Sequence, residues 1–128
     1  MSTANETNML ADRFMQAIET GDMDVVRACY APDARVWHNN DGLEQTVEDN
    51  ARVLAWVIKH LSNRRYEIKS RDVFDGGYVQ QHVLHGTLNN GKPFSMPACL
   101  VVTVTHGKIG RLHEYLDSAH TLLLRQQA

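Results

Sequence analysis

YVQQHVLHGTLNNGKPFSMPACLVVTVTHGKIGRLHEYL, residues 78–116, reads as three strands joined by two tight turns. Tyr78 to Leu88 carries the valine, tyrosine and threonine content of a strand. Asn89-Asn90-Gly91 is a hairpin signal, because glycine adopts positive φ at little cost. Met96 to Thr105 is nearly all apolar or threonine, which predicts a central, covered strand. Pro93 and Pro97 predict an edge or a bulge at its start, since proline cannot donate to a ladder. His106-Gly107 turns the chain into a last strand, Lys108 to Leu116.

Outward from this stretch, Tyr66 to Phe74 alternates as a strand and Asp75-Gly76-Gly77 turns. Before Leu61 the period becomes helical. Met9, Leu10, Phe14, Ala17 and Ile18 form one apolar stripe, and Gly21 stops that helix. Asp22 is placed to cap a short second helix, Met23 to about Tyr30, which must end before Pro32. Ala34 to His38 reads as a short strand and Asn39-Asn40-Asp41-Gly42 as a loop. The longest helix is expected from Leu43 or Glu44 to Leu61, with a broad apolar face that includes Leu54, Trp56 and Val57. Ser118 to Leu124 reads as a closing helix capped by Asp117 or Ser118. Strands segregated from helices in this order predict an antiparallel α+β fold, its sheet bent around the long helix and leaving a cavity at the open end.

The bulk composition narrows the functional classes. The chain has 128 residues, which fits one domain spanning 1–128 with a core of about 9–125. The net charge of -2, with no basic block, argues against a nucleic-acid partner. Cys29 and Cys99 show no zinc spacing and sit in apolar surroundings, so both read as small buried hydrophobes. Met1 to Thr7 lacks the apolar core of a secretion signal, and no run approaches the roughly 20 apolar residues of a membrane span. The expectation is a cytoplasmic location with no membrane partner. No phosphate loop, dinucleotide fingerprint, Ser-His-Asp pattern or metal-ligand spacing is present, so no cofactor and no metal are expected.

Residues 13–22, RFMQAIETGD, followed by 30–36, YAPDARV, resemble the opening of the nuclear transport factor 2-like superfamily, in its SnoaL-like and ketosteroid isomerase-like branch. Gly107-Lys108-Ile109 leading to Glu114-Tyr115-Leu116-Asp117 is similar to its close. The resemblance runs from about Met9 to Leu124. It implies a cystatin-like roll, a cone-shaped curved antiparallel sheet wrapped around N-terminal helices, and a homodimer. It also implies a pocket for a small apolar or oxygenated organic ligand. Phe14 stands where ketosteroid isomerases carry an oxyanion-donating tyrosine, His38 where they carry the aspartate base, and Cys99 or Leu100 where they carry a neutral acid. Trp37-His38-Asn39 resembles the tyrosine-histidine-asparagine segment of limonene-epoxide hydrolases, so Asn39 matches a water-holding residue and Glu114 matches their last aspartate. Phe14 has no proton to give and Cys99 or Leu100 supplies no acid, and no arginine or acid lies between Gln81 and His85, so neither activity is implied. In SnoaL-like cyclases an arginine often stands at the position of His82, before the pair matched by Gly86-Thr87, and the proton-shuttling acid matches Glu114 or Asp117.

The candidate catalytic set is therefore His82, His38, Glu114 and Asp117, with Asn39, Trp37, Trp56, Phe14, Met96 and Leu84 as ligand-binding candidates. A histidine can move a proton near neutral pH, and a carboxylate in an apolar setting can act as acid or base. His82 and His85 are three apart on one strand, so alternation sends them to opposite faces. The resemblance favours His82 as the inward one. Asp117 has a competing use as a helix cap, His38 and Asn39 as a turn-forming pair, and Trp56 as core. The expected function is cofactor-free acid–base chemistry of isomerase, dehydratase, cyclase or hydrolase type. The alternative is a binding or interaction module without chemistry.

Overall fold

A capping box starts the first helix, α1 (Ala4–Thr20). Thr3 Oγ1 accepts from the Glu6 amide at 3.1 Å, and Glu6 Oε1 accepts from the Thr3 amide at 3.1 Å. The helix thus begins before its apolar stripe. Leu10, Phe14, Ala17 and Ile18 are buried as that stripe predicts, whereas Met9 is 62% exposed. Gly21 ends the helix at φ 80°, its own amide and that of Asp22 closing on Ile18 and Ala17. Asp22 caps α2 (Met23–Cys29) by accepting from the Val25 amide at 3.2 Å. The computed structural model describes residues 3–127; Met1, Ser2 and Ala128, the ends of the expected domain, lie outside them.

The strands are β1 (Tyr30–His38), β2 (Glu44–Gln45), β3 (Ser62–Phe74), β4 (Gly77–Thr87), β5 (Pro93–Thr105) and β6 (Lys108–Leu116), with α3 (Val47–His60) after β2 and α4 (Ser118–Gln126) last. The third helix does not start at Leu43 or Glu44. Thr46 and Asp49 form a second capping box, so the helix opens at Val47 and Glu44–Gln45 is left to pair with Trp37 and Val36. It is also not the longest helix: α3 has 14 residues and α1 has 17.

The six strands form one curved, unclosed sheet in the order β2-β1-β6-β5-β4-β3. All neighbours pair antiparallel, as expected, except β1 and β6, which run parallel. Register shifts interrupt β1·β6, β3·β4 and β5·β6, the irregularities that bend a sheet. Pro32 lies inside the first of these shifts, so its missing amide removes no regular ladder bond. Pro93 and Pro97 sit where β5 has run past the end of β6, whose last pair is Ala98 with Leu116, so they occupy an edge without a bulge against β4. The turns follow the glycines: Gly91 has φ 85°, and His106 and Gly107 have φ 52° and 75°, both central residues of a two-residue hairpin being left-handed.

Burial alternates along β5. Phe94, Met96, Leu100 and Val102 face in, while Ser95, Pro97, Val101 and Thr103 face solvent, Val101 at 37% exposure. The expected central position is observed but the expected full cover is not, because the helices lie on one face only. Cys29 is buried; Cys99 is only half-buried, which departs from its expected burial. One core cluster joins α1 and α2 to the sheet, and a second gathers Leu61, Leu84, Phe94, Met96 and Leu124. α3 buries only Asn50 and Ala51 fully, so most of its apolar face spans the gap between the clusters instead of closing it. Among the described residues no helix is long and apolar enough to cross a membrane.

A β-carbon added at Gly77 would meet the backbone carbonyl of Val102 on the neighbouring strand, an atom that cannot swing away. Gly77→Ala is expected to lower stability in urea unfolding by ~1–3 kcal/mol or more, the cost of an overpacked interior. An unchanged midpoint would show that this strand pair moves freely.

Candidate active site

The gap between the clusters is a hollow of two connected chambers. The deeper one, about 40 Å³, is walled by Phe14, Met15, Tyr30, Val36, Leu100 and Leu112. The outer one, about 180 Å³, is walled by Trp56, Val57, Leu84, Met96 and Leu124 among others. Both walls are largely apolar. The polar side chains His38, Asn50, Tyr66, His82 and Glu114 border both chambers, so they ring the junction.

His38 and Glu114 are brought together by the parallel β1·β6 pairing, in which they are direct partners. His38 Nε2 lies 2.9 Å from Glu114 Oε1, with side-chain exposures of 16% and 18%. Burial by itself would lower the His38 pKa, but the hydrogen bond and charge of Glu114, with Asp41 adding, carry it above the usual 6.5. A raised histidine pKa means that the pair stabilises the fold fully below pH 6.5 and loses this contribution as pH climbs through the folded value.

His82 faces inward on β4 and is 3% exposed. The Tyr66 ring meets its imidazole edge-on, with centroids 4.9 Å apart. Burial lowers its pKa below 6.5, the pull of Glu114 opposes this and Arg71 adds to it. Two histidines at one junction are thus shifted in opposite directions. His85 faces out, as alternation requires. Its Nδ1 lies 2.9 Å from Ser95 Oγ and its Nε2 2.8 Å from Glu67 Oε1. Three strands therefore assemble a Ser-His-acid row that no linear pattern could reveal, but none of its members borders the hollow.

Phe14 borders the deep chamber and Trp56, Met96 and Leu84 the outer one, so four of the six ligand-binding candidates line the hollow. Three other candidates are occupied elsewhere. Asn39 is not a free amide: its Nδ2 donates to the Leu116 carbonyl at 3.1 Å and its Oδ1 accepts from the Leu116 amide at 2.9 Å, stitching β1 to β6. Trp37 alternates with Val36 and His38 and so lies on the outer sheet face, against His113 and Tyr115 at 5.2 and 5.3 Å. Asp117 caps α4, accepting from the Ala119 amide at 2.9 Å, and does not border the hollow.

Sequence reasoning missed Tyr66, Asn50 and Gln80. Asn50 is 3% exposed and accepts from the Tyr30 hydroxyl at 3.2 Å. Its signal was helical spacing, since it falls between Val47 and Leu54 on the apolar face of α3. Gln80 is fully buried and shares the face of His82 two residues on, a polar residue on an inward strand face.

Imidazole resonances followed by NMR through a pH titration are expected to place the His38 midpoint above 6.5 and the His82 midpoint below it. The reverse order would contradict the environments described. Asn39→Ala should cost ~1–3 kcal/mol through its two lost bonds to Leu116, measured by thermal unfolding. A loss below this range would mean that the amide is not a structural stitch.

No curated protein matches the chain. Among solved structures, a candidate polyketide cyclase of Streptomyces antibioticus, IdmH, superposes with a TM-score of 0.82 at 17% identity, covering 94% of this chain and 98% of its own. A hypothetical protein of Catenulispora acidiphila with a ketosteroid isomerase-like fold, solved with trimethylamine, gives 0.78 at 14% identity over 93% of each chain. An LEH-like epoxide hydrolase of M. tuberculosis gives 0.76 at 16% identity, over 96% of this chain and 92% of that one. Likeness at these identities fixes the fold alone. The sequence profile of the SnoaL-like domain matches residues 11–112, and the chain belongs to that family.

Proposed function

We propose that the chain is a cofactor-free enzyme that moves protons on a small, largely apolar, oxygen-bearing molecule held in the hollow. The observation that carries this reading is the His38–Glu114 contact of 2.9 Å at the junction of two apolar chambers, facing His82 across the same space. A carboxylate paired with a histidine and largely removed from water can take up and return a proton without an added group. The apolar walls supply binding and exclude water, and the ring of polar groups orients the oxygenated part of the ligand. Neighbours of this fold described as a candidate polyketide cyclase and an LEH-like epoxide hydrolase carry names that point to oxygen-bearing substrates, which supports this reading.

A second reading is a binding module of the same fold. It is favoured by Phe14, which has no proton to donate, and by the Asn39 amide, which is fully engaged by Leu116.

The two separate when steroid, polyketide and terpenoid compounds are offered to the protein while both binding and conversion are followed. Conversion by the wild type is expected, falling ~100-fold or more in Glu114→Gln with binding held within a few-fold. Binding without conversion across the panel would favour the module.

A further inference from the structure

His82 has two ring nitrogens, and the residues behind it decide which of them carries the proton. Arg71 Nε donates to Gln80 Oε1 at 2.9 Å. A guanidinium can only donate, so this contact fixes the Gln80 amide with its oxygen toward Arg71 and its nitrogen away. That nitrogen, Nε2, lies 2.8 Å from His82 Nδ1. An amide N–H pointing at Nδ1 requires a lone pair there, so the proton of the neutral ring sits on Nε2. Among the described residues the sealed side-chain polar atoms without a partner are Arg71 Nη2 and Tyr78 Oη. His82 Nε2 makes no hydrogen bond to any described residue and is not one of these sealed atoms, so it opens on the hollow that its ring borders.

Arg71 is itself anchored. Its Nη1 reaches Asp12 at 2.8 Å and Asn8 at 3.4 Å, both on α1, and its side chain is 10% exposed. The guanidinium also lies over the Tyr78 ring at 5.9 Å. Gln80 Nε2 is further confined by Met15 Sδ at 3.3 Å. The relay thus runs from a surface carboxylate through two buried side chains to the ring, and each member restricts the next. Arg71 and Glu114 are the charged groups acting on His82; burial and Arg71 favour its neutral form, and Glu114 opposes them.

We infer that Arg71 and Gln80 are positioning residues that hold His82 as its Nε2–H tautomer, so that it donates a hydrogen bond to a carbonyl, ether or alkoxide oxygen of the ligand and does not act as the base. This rests on the reading of the hollow as the substrate site, and it divides the labour within it. The His38–Glu114 pair handles the proton, and His82 holds the oxygen. β4 and β6 are separated by β5, hence by about 10 Å between backbones. A ligand oxygen at His82 therefore stands apart from the atom that faces Glu114.

The tautomer is read directly from the two ¹⁵N resonances of His82, assigned by their loss in His82→Asn, in the free protein at alkaline pH where the ring is neutral. The wild type is expected to show the proton on Nε2. Gln80→Glu should move it to Nδ1, because a carboxylate there can only accept. Arg71→Met, which frees the amide to rotate, should give a mixture. A wild-type ring protonated on Nδ1 overturns the inference whether or not any variant folds. A pure Nε2–H ring in Arg71→Met would remove Arg71 from the relay. None of these readings needs a substrate. The expected tautomer together with no conversion of any compound would instead sink the enzymatic reading and leave the lock standing.

Discussion

β1 and β6 are far apart in the chain, Asn39 just past the end of β1 and Leu116 being 77 positions apart, yet they run side by side and parallel. A parallel pair cannot be made by a tight turn, and here α3 and four strands, β2 to β5, lie between its two members in the chain. Its closure carries an entropic cost that no local signal offsets. The Asn39 amide grips both backbone groups of Leu116, and Val36 and Leu112, paired across the seam, bury beneath it. The charged pair in the hollow depends on this seam. It turns His38 and Glu114 into direct neighbours, and it sets one row across four strands, Gln80, Leu100, Glu114 and His38.

Locally encoded features were legible. Alternation in β4 separates His82 from His85, glycines mark the hairpins, and Gly21 and Asp22 mark the break between the first two helices. Thr3 with Glu6, and Thr46 with Asp49, were equally local signals; read as capping boxes, they fix both helix starts. The non-local features were hidden. Nothing in Trp37 says that its strand turns that face outward, and nothing in Asn39 says that its amide will be consumed by a backbone 77 residues away. Asp117 shows the limit of inference by resemblance: an acid at the right place in the chain serves the helix behind it. The Ser95–His85–Glu67 row shows the converse, a familiar constellation assembled by register alone on a face with no hollow.

The junction of the chambers is polar in an otherwise apolar interior, which is costly unless each group is satisfied. Asn50 answers Tyr30, Gln80 answers both Arg71 and His82, and Glu114 answers His38. These bonds can hold the ring rigid while its apolar walls stay unfilled. α3 permits this by presenting its apolar face to the cavity, with Trp56 stacked on His60 at 4.5 Å, in place of sinking into the core.

The sheet never closes, and this leaves β3 as a margin 13 residues long. A free strand margin of that length is a template on which other chains can add, the first step toward fibrils. Arg65, Glu67, Lys69 and Asp72 crowd this one, and a register break falls between Ile68 and Ser70, beside Ile68 at 41% exposure. The opposite margin, β2, is only two residues long. The molecule can thus keep an open-mouthed cone, with room inside for a guest, while giving an incoming strand little straight, uncharged backbone to copy.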